Sequence, residues 1–261
     1  MTMKTDIDET LDWQGNEIRC EACCHLRLSQ DGQCEPRRAC VQDRYARRID
    51  RFFARNPGLA NGVLDHPYFE VRAVAAKYAG VFHLPRLLDD PDDTVRWSAA
   101  QRLPARYLLR LRNDVSREVR IRVAARLEGT DLIPMIKDED YYVRQNVARR
   151  IAPYLLSFML RDEDSEVRRV VAQRIGKEWL MTMAADDDGG VRVQIAARMS
   201  PEQLTWMRHD PDWRVRYEVA NRIEVEFLVQ MRNDEDPMVR ERVAQRLWND
   251  IVIARDDGLG R

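Results

Sequence analysis

The stretch 165–200, SEVRRVVAQRIGKEWLMTMAADDDGGVRVQIAARMS, says the same short phrase twice, at Val167-Arg168 and again at Val191-Arg192. The pair also stands at Val71-Arg72, Val95-Arg96, Val119-Arg120, Val143-Arg144, Val215-Arg216 and Val239-Arg240, an interval of 24 residues every time over eight units. A fixed period of this kind marks a repeat array, in which each unit buries its apolar side against its neighbours.

With each Val as position zero, position +4 is Ala75, Ala99, Val123, Val147, Val171, Ile195, Val219 and Val243, and position +5 is Ala in all eight units. Position +8 is Leu103, Leu127, Ile151, Ile175, Met199, Ile223 or Leu247. Apolar residues at 0, +4, +5 and +8 form one stripe of an α-helix, and an unvarying Ala points to close approach between layers. Pro104, Gly176 and Ser200 at +9 end the helix. A second apolar pair follows at +13 (Leu84 to Leu228) and +16 (Leu87, Leu111, then Met135 to Met231). Three residues apart, with no longer run, fits a turn or two of 3₁₀-helix or a very short α-helix. Two full helices would need a longer unit, and no period-two alternation suggests strands. The fold class expected is therefore all-α: a right-handed α-superhelix, or solenoid, of eight 24-residue repeats, each one α-helix plus one short helix.

The charges repeat as well. Position +19 is Asp90, Asp114, Asp138, Asp162, Asp186, Asp210 and Asp234, close to the start of the next helix, where an acid suits the dipole and capping. Arg at +1 should lean toward the helix N-terminus and the Asp waiting there, which predicts a partly buried Arg–Asp ladder between layers. A second Arg at +7 (Arg102, Arg126, Arg150, Arg174, Arg198, Arg222, Arg246) borders the apolar stripe and is expected on an exposed face, as an inter-repeat tie or a ligand-binding stripe.

All five cysteines fall between residues 20 and 40, in CEACCHLRLSQDGQCEPRRAC. Such clustering outside the array reads as a metal site before disulfides. Four soft thiolates suit Zn²⁺ or an iron–sulfur cluster, and spacing alone leaves both open. The expected ligands are Cys20, Cys23, Cys34 and Cys40, with Cys24 the alternative to Cys23, since adjacent cysteines do not easily ligate together. His25 is a weaker candidate. Gly32 permits the turn that returns the chain to the metal, and Arg19, Arg27, Arg37 and Arg38 offset thiolate charge. Residues 41–56, VQDRYARRIDRFFARN, form a helix whose apolar side (Val41, Tyr45, Ile49, Phe52, Phe53) caps the first layer of the array; Trp13 and Ile18 anchor the polar N-terminal stretch. The organisation expected is a cluster module with its capping helix at 1–56, the array at 57–250 and a polar tail at 251–261.

The repeat unit, preceded by C-x2-C-C…C…C and CVQDRYARRIDRFF, resembles the bacterial leucine-rich repeat variant proteins with an N-terminal iron–sulfur module. The resemblance implies α- and 3₁₀-helices alternating in a right-handed superhelix, a [4Fe–4S] cluster rather than zinc on four cysteines, and a nitrogen-fixation setting.

Lys and Arg number 43 against 44 Asp and Glu, a net charge of −1 that argues against a dedicated nucleic-acid binder. Without an apolar leader or membrane span, a soluble cytoplasmic monomer is expected. The histidines (His25, His66, His83, His209) share no register, and no phosphate loop or nucleophile motif occurs, so no catalytic residue is assigned. Asp186-Asp187-Asp188-Gly189-Gly190 lacks the EF-hand spacing and reads as an acidic helix start. The expected function is an iron–sulfur protein whose repeats bind a protein partner, with the cluster sensing redox state or oxygen or passing an electron. The alternative is a nucleic-acid-binding solenoid with a zinc module, the +7 arginines tracking phosphates.

Overall fold

Each repeat opens with an α-helix of eight to ten residues because the residues at 0, +4 and +5 can all be buried together on one side of it. In a computed structural model, which describes the backbone of residues 9–258 and the side chains of residues 9–249, these helices are Phe69–Tyr78, Asp93–Ala100, Arg117–Ala124, Tyr141–Arg150, Ser165–Arg174, Gly189–Ala196 and Trp213–Arg222. A longer one, Pro237–Gly258, follows and carries the backbone through most of the expected polar tail; its side chains from residue 250 onward lie outside the described residues. The chain divides into two compact units, Met1–Leu127 and Glu128–Arg261. Among the described residues extended backbone pairs only at isolated bridges, all of them N-terminal to the repeats, and no helix is long and apolar enough to cross a membrane.

All eight valines at position zero are fully buried, and the Ala at +5 is buried in the first seven repeats; Ala244 in the last is exposed. The second segment is short in the first seven repeats, whereas in the eighth the helix Pro237–Gly258 runs on through its place. The short segment is 3₁₀ throughout in Val81–Asp89, Gly129–Met135, Pro153–Met159 and Gln203–Met207, and one turn of α joined to one of 3₁₀ elsewhere, as in Val225–Leu228 with Val229–Met231. Residues three apart eclipse in a 3₁₀-helix, so +13 and +16 both point inward. Leu84, Leu108, Leu132, Leu156, Leu204 and Leu228 are fully buried, with Met135, Met159, Met183, Met207 and Met231 close to it. Each such side chain contributes roughly 1.5–3 kcal/mol of transfer free energy, which is what lets a unit of this length hold together.

The arginine at +1 forms the ladder, with a different carboxylate from the one expected. Its partner is the Asp eighteen residues ahead, at +19 of its own repeat. In the first unit Arg72 takes Asp90 and Arg96 takes Asp114; in the second, Arg144 takes Asp162, Arg168 takes Asp186, Arg192 takes Asp210 and Arg216 takes Asp234. Each is a two-pronged pair at 2.7–3.0 Å through Nε and Nη2. The Asp behind contributes its main-chain carbonyl instead: Arg168 Nη1 donates to Asp162 O and Arg192 Nη1 to Asp186 O. One planar guanidinium thus clasps the layer ahead and the turn behind, a fork geometry that lysine cannot supply.

The helix cap also falls two residues later than expected. Asp92, Asp140, Asp164, Asp188 and Asp212 are the N-caps, their carboxylates accepting from helix N–H groups, while the +19 Asp accepts the N–H of the residue two further on and closes the turn. Asp186 and Asp188 are therefore accounted for by Arg168 and by the N–H of Val191.

The second arginine, at +7, is not spread along an open face. Arg102 donates to the carbonyls of Ala76 and Ala79, Arg126 to Ala100, Arg174 to Ala148, Arg198 to Ala172 and Ile175, Arg222 to Ala196 and Met199, and Arg246 to Ala220 and Ile223. These carbonyls are the orphans at the C-terminus of the preceding helix, where a cation is also favoured by the dipole. In six repeats the arginine thus caps the helix of the layer before, and Arg150 also pairs with Glu128 at 2.8 Å.

Within the first unit, helix Ala46–Arg55 packs on helix Phe69–Tyr78 and buries Ile49, Phe52 and Phe53 completely, the capping role its apolar side predicts. Asp50 accepts from Lys77 Nζ at 3.1 Å and Tyr78 Oη at 3.2 Å, and Trp13 stacks on Tyr68 with ring centroids 5.6 Å apart. Ile18 is half-buried. The cysteine-bearing segment is thereby fixed against the first repeat.

Candidate metal centre

The cysteines ride on short turns rather than long elements. Cys20 starts a 3₁₀ turn, Cys20–Ala22, and its carbonyl accepts the N–H of Cys23 at 3.1 Å. A short helix, Leu26–Gln30, follows, and Gly32 at φ 70° reverses the chain, the turn predicted for it. Arg55 Nη1 and Asn56 Nδ2, at the end of the capping helix, hold this turn through the carbonyls of Gly32 and Gln33 at 3.3 and 3.0 Å. Cys34 donates its N–H to Leu28 O. A tight loop closed by reciprocal Glu35–Ala39 bonds then delivers Cys40, whose N–H donates to Arg48 O on the helix.

Cys20, Cys23, Cys34 and Cys40 are near enough for each to act on the ionisation of at least one other. Cys20 is pushed up by burial and by Cys40. Cys23 is pushed up by burial and by Cys24, Cys40 and Cys20, against the N–H of His25. The Cys34 thiolate is favoured by a hydrogen bond from the Cys40 thiol, which outweighs the repulsion from Cys23 and Cys20; the same bond, with burial, raises Cys40. Cys34 and Cys40 are buried, Cys20 and Cys23 half-buried. Cys24 is exposed, and of the other four thiols it is Cys23 whose ionisation it affects.

The surroundings suit thiolates. Cys23 Sγ accepts from the N–H of His25 at 3.4 Å and from Gln42 Nε2 at 3.3 Å. Cys40 accepts the N–H of Gln42, Cys20 the Ser29 hydroxyl, and Cys34 lies within the field of Arg55. Donors aimed at ligating sulfurs are the outer layer that tunes a metal site. Among the described residues no three His, Cys, Asp or Glu side chains are close enough to share one metal ion. A four-iron cluster does not require that, because each thiolate takes its own iron around the cluster, so four thiols on adjoining turns with polar support fit it.

His25, the weaker candidate, packs its ring on Phe52 at 5.3 Å, and burial lowers its pKa. Ser29, Gln42 and Arg55 were not marked by sequence. The arginine that acts on Cys34 is Arg55, supplied by the helix, whereas Arg38, expected to offset thiolate charge, pairs with Glu35 at 3.3 Å. Beneath the site, Asp43 is completely buried against Arg48 at 3.0 Å and accepts the N–H of Tyr45. It locks the chain between Cys40 and the helix.

Residues 10–62 match the family model described as "LRV protein FeS4 cluster", which implies an iron–sulfur cluster in this segment. A 27.7 kDa protein in the nifB 3' region of Rhodobacter capsulatus is 52% identical over 80 residues, 31% of this chain and 33% of that protein; the matched segment thus spans about a third of that relative. A solved structure described as a leucine-rich repeat variant with a novel repetitive protein structural motif is 41% identical, with TM-score 0.84, over 88% of this chain and 98% of that one. Its all-α repeat solenoid is the fold of this chain, which belongs to the leucine-rich repeat variant family.

Proposed function

We propose that this protein carries a [4Fe–4S] cluster on Cys20, Cys23, Cys34 and Cys40 and exchanges single electrons through it, with the repeats as the scaffold that engages a protein partner. The observation that carries the reading is the match of residues 10–62 to the iron–sulfur family model, with Cys34 and Cys40 buried, Cys20 and Cys23 half-buried, Cys24 exposed, and His25 and Gln42 donating to Cys23. When bound, such a cluster supplies one-electron chemistry at a potential set by its charge, hydrogen bonds and exposure. The chain's part is to hold four sulfurs, to direct N–H and O–H groups at them, and to keep Cys34 and Cys40 away from water. Residue placement also bears on partner choice: six of the +7 arginines bond helix carbonyls and Arg150 pairs with Glu128, so among the described residues they are not a free cationic stripe for phosphates, which favours a protein partner over nucleic acid. The relative encoded beside nifB supports a nitrogen-fixation setting.

Anaerobic purification followed by iron, sulfide and zinc analysis and an EPR spectrum after dithionite tests the reading. Equal iron and acid-labile sulfide are expected, retained in Cys24→Ser and lost in Cys34→Ser. Zinc without iron, or loss of iron in Cys24→Ser with retention in Cys23→Ser, would overturn it.

A further inference from the structure

The helix that backs the cysteines has a second side that the fold leaves unused. In Ala46–Arg55 the inward face is Ile49, Phe52, Phe53 and the buried Arg48–Asp43 pair. Arg47, Arg51 and Arg55 fall at i, i+4 and i+8, one face of a helix, and all three are exposed. Asp50, the helix's one acid, is taken by Lys77 and Tyr78. Among the described residues no ion pair engages Arg47, Arg51 or Arg55; Arg55 spends one N–H on the Gly32 carbonyl beside Cys34. This contrasts with the repeats, where the +1 and +7 arginines are bound inside the fold.

A second cation stands on the loop between Cys34 and Cys40. Arg37 has φ 68°, a left-handed conformation that glycine adopts freely and other side chains adopt at a cost. Its exposed guanidinium thus stands between two expected ligands.

We infer that the exposed face of Arg47, Arg51 and Arg55, with Arg37, is the docking surface for an acidic one-electron carrier protein. The inference rests on the cluster reading above and names the partner of that site. Charge complementarity selects the occupant: unpaired guanidiniums beside the cluster-bearing turns attract a carboxylate-rich surface, speed encounter and orient the carrier's redox centre toward Cys34. The step is a single electron leaving the reduced carrier and entering the oxidised centre, one oxidised and the other reduced, with no bond made or broken. A nucleic acid would need a wider basic field than four arginines on a chain of net charge −1.

The test uses the anaerobically prepared full chain, with iron and sulfide measured on every sample, and a plant-type [2Fe–2S] ferredoxin as the acidic probe. Binding is measured by titration calorimetry at low and at physiological ionic strength, and electron transfer by stopped-flow. Arg47→Glu/Arg51→Glu, which touches no partner in the fold, should weaken binding by about tenfold or more at low salt, leave iron content and EPR signal unchanged, and slow transfer in proportion. Arg47→Lys/Arg51→Lys should bind like the parent. Absence of ferredoxin binding by the parent protein, equal binding by the charge-reversed variant, or preferential binding of an oligonucleotide would overturn the inference. A sample without iron that still shows arginine-dependent binding would refute the cluster reading and leave the docking surface standing.

Discussion

Replacing Arg144 by Met isolates the worth of one ladder rung. Arg144 and Asp162 are 7% and 6% exposed at the side chain and are joined at 2.8 and 2.9 Å. Arg144 also donates to the carbonyls of Asp138 and Glu139. Met fills much of the same volume but leaves a buried carboxylate facing only the N–H of Asp164 among the bonds described, and strips two carbonyls of a donor. Breaking a buried pair from one side costs about 3–5 kcal/mol, mostly the unpaired charge. The double variant Arg144→Met/Asp162→Ala removes that charge and forfeits the turn bond, so it should cost only about 1–2 kcal/mol. Glu166→Gln, which breaks the half-exposed Arg169–Glu166 pair at 2.6 Å, should cost at most about 1 kcal/mol. Repeat arrays do not always unfold in one step, so urea denaturation should be read beside hydrogen exchange in Tyr141–Arg150 and Ser165–Arg174. If Arg144→Met is no worse than Glu166→Gln, or if the double variant is worse than the single, the rung is not held by its buried charge and the reasoning fails.

Other consequences are as direct. Burial acts to raise the Asp234 carboxyl, but Arg216 and the N–H of Asp236 outweigh it and hold it below its ordinary value. Its stabilising contribution is complete above the unfolded carboxylate range near pH 4 and is lost as pH falls through the lowered folded value. Denaturation midpoints should therefore hold from pH 7 to about pH 5 and drop at lower pH, with a smaller drop in Asp234→Asn. Ala172, with no exposed surface, should not admit Ala172→Leu without loss of about 1–3 kcal/mol, visible as a lower urea midpoint. Asp164→Ala removes the cap on Ser165–Arg174 and should cost about 1 kcal/mol, with faster exchange confined to the first turn of that helix.

The apolar frame was open to reading because period and burial are both carried by side chains: Val at 0, Ala at +5, Leu at +13 and Leu or Met at +16 each face one way, and a helix of fixed pitch turns their spacing into a surface. The polar frame was only half visible. That Arg168 seeks an Asp could be inferred, but the two candidates, Asp162 and Asp186, differ only in which part of the residue they offer, the carbonyl or the carboxylate. The +7 arginines are the inter-repeat ties the sequence suggests, but their acceptors were hidden from it. Their acceptors are the carbonyls of Ala76, Ala148 or Ala196, and every residue has a carbonyl, so no letter marks the ones left orphaned. At the metal centre the cluster of cysteines was plain, while the separation of Cys24 from the other four thiols depends on where one 3₁₀ turn points, and Arg55 reaches Cys34 from the far end of the capping helix, 21 residues along the chain, a distance that spacing does not resolve.

The clasp made by each +1 arginine has a bearing on how such a chain can change length. A block of one period, cut at any residue, still contains one guanidinium, one acceptor carboxylate and one acceptor carbonyl, so duplication or excision by unequal recombination restores every joint without inventing a new contact. Arg240 keeps the backward half of the joint, donating to the carbonyls of Asp234 and Glu235, and the position eighteen residues ahead, where the other repeats have Asp, is Gly258. Grafting one further period after this arginine should therefore extend the protein through chemistry it already possesses.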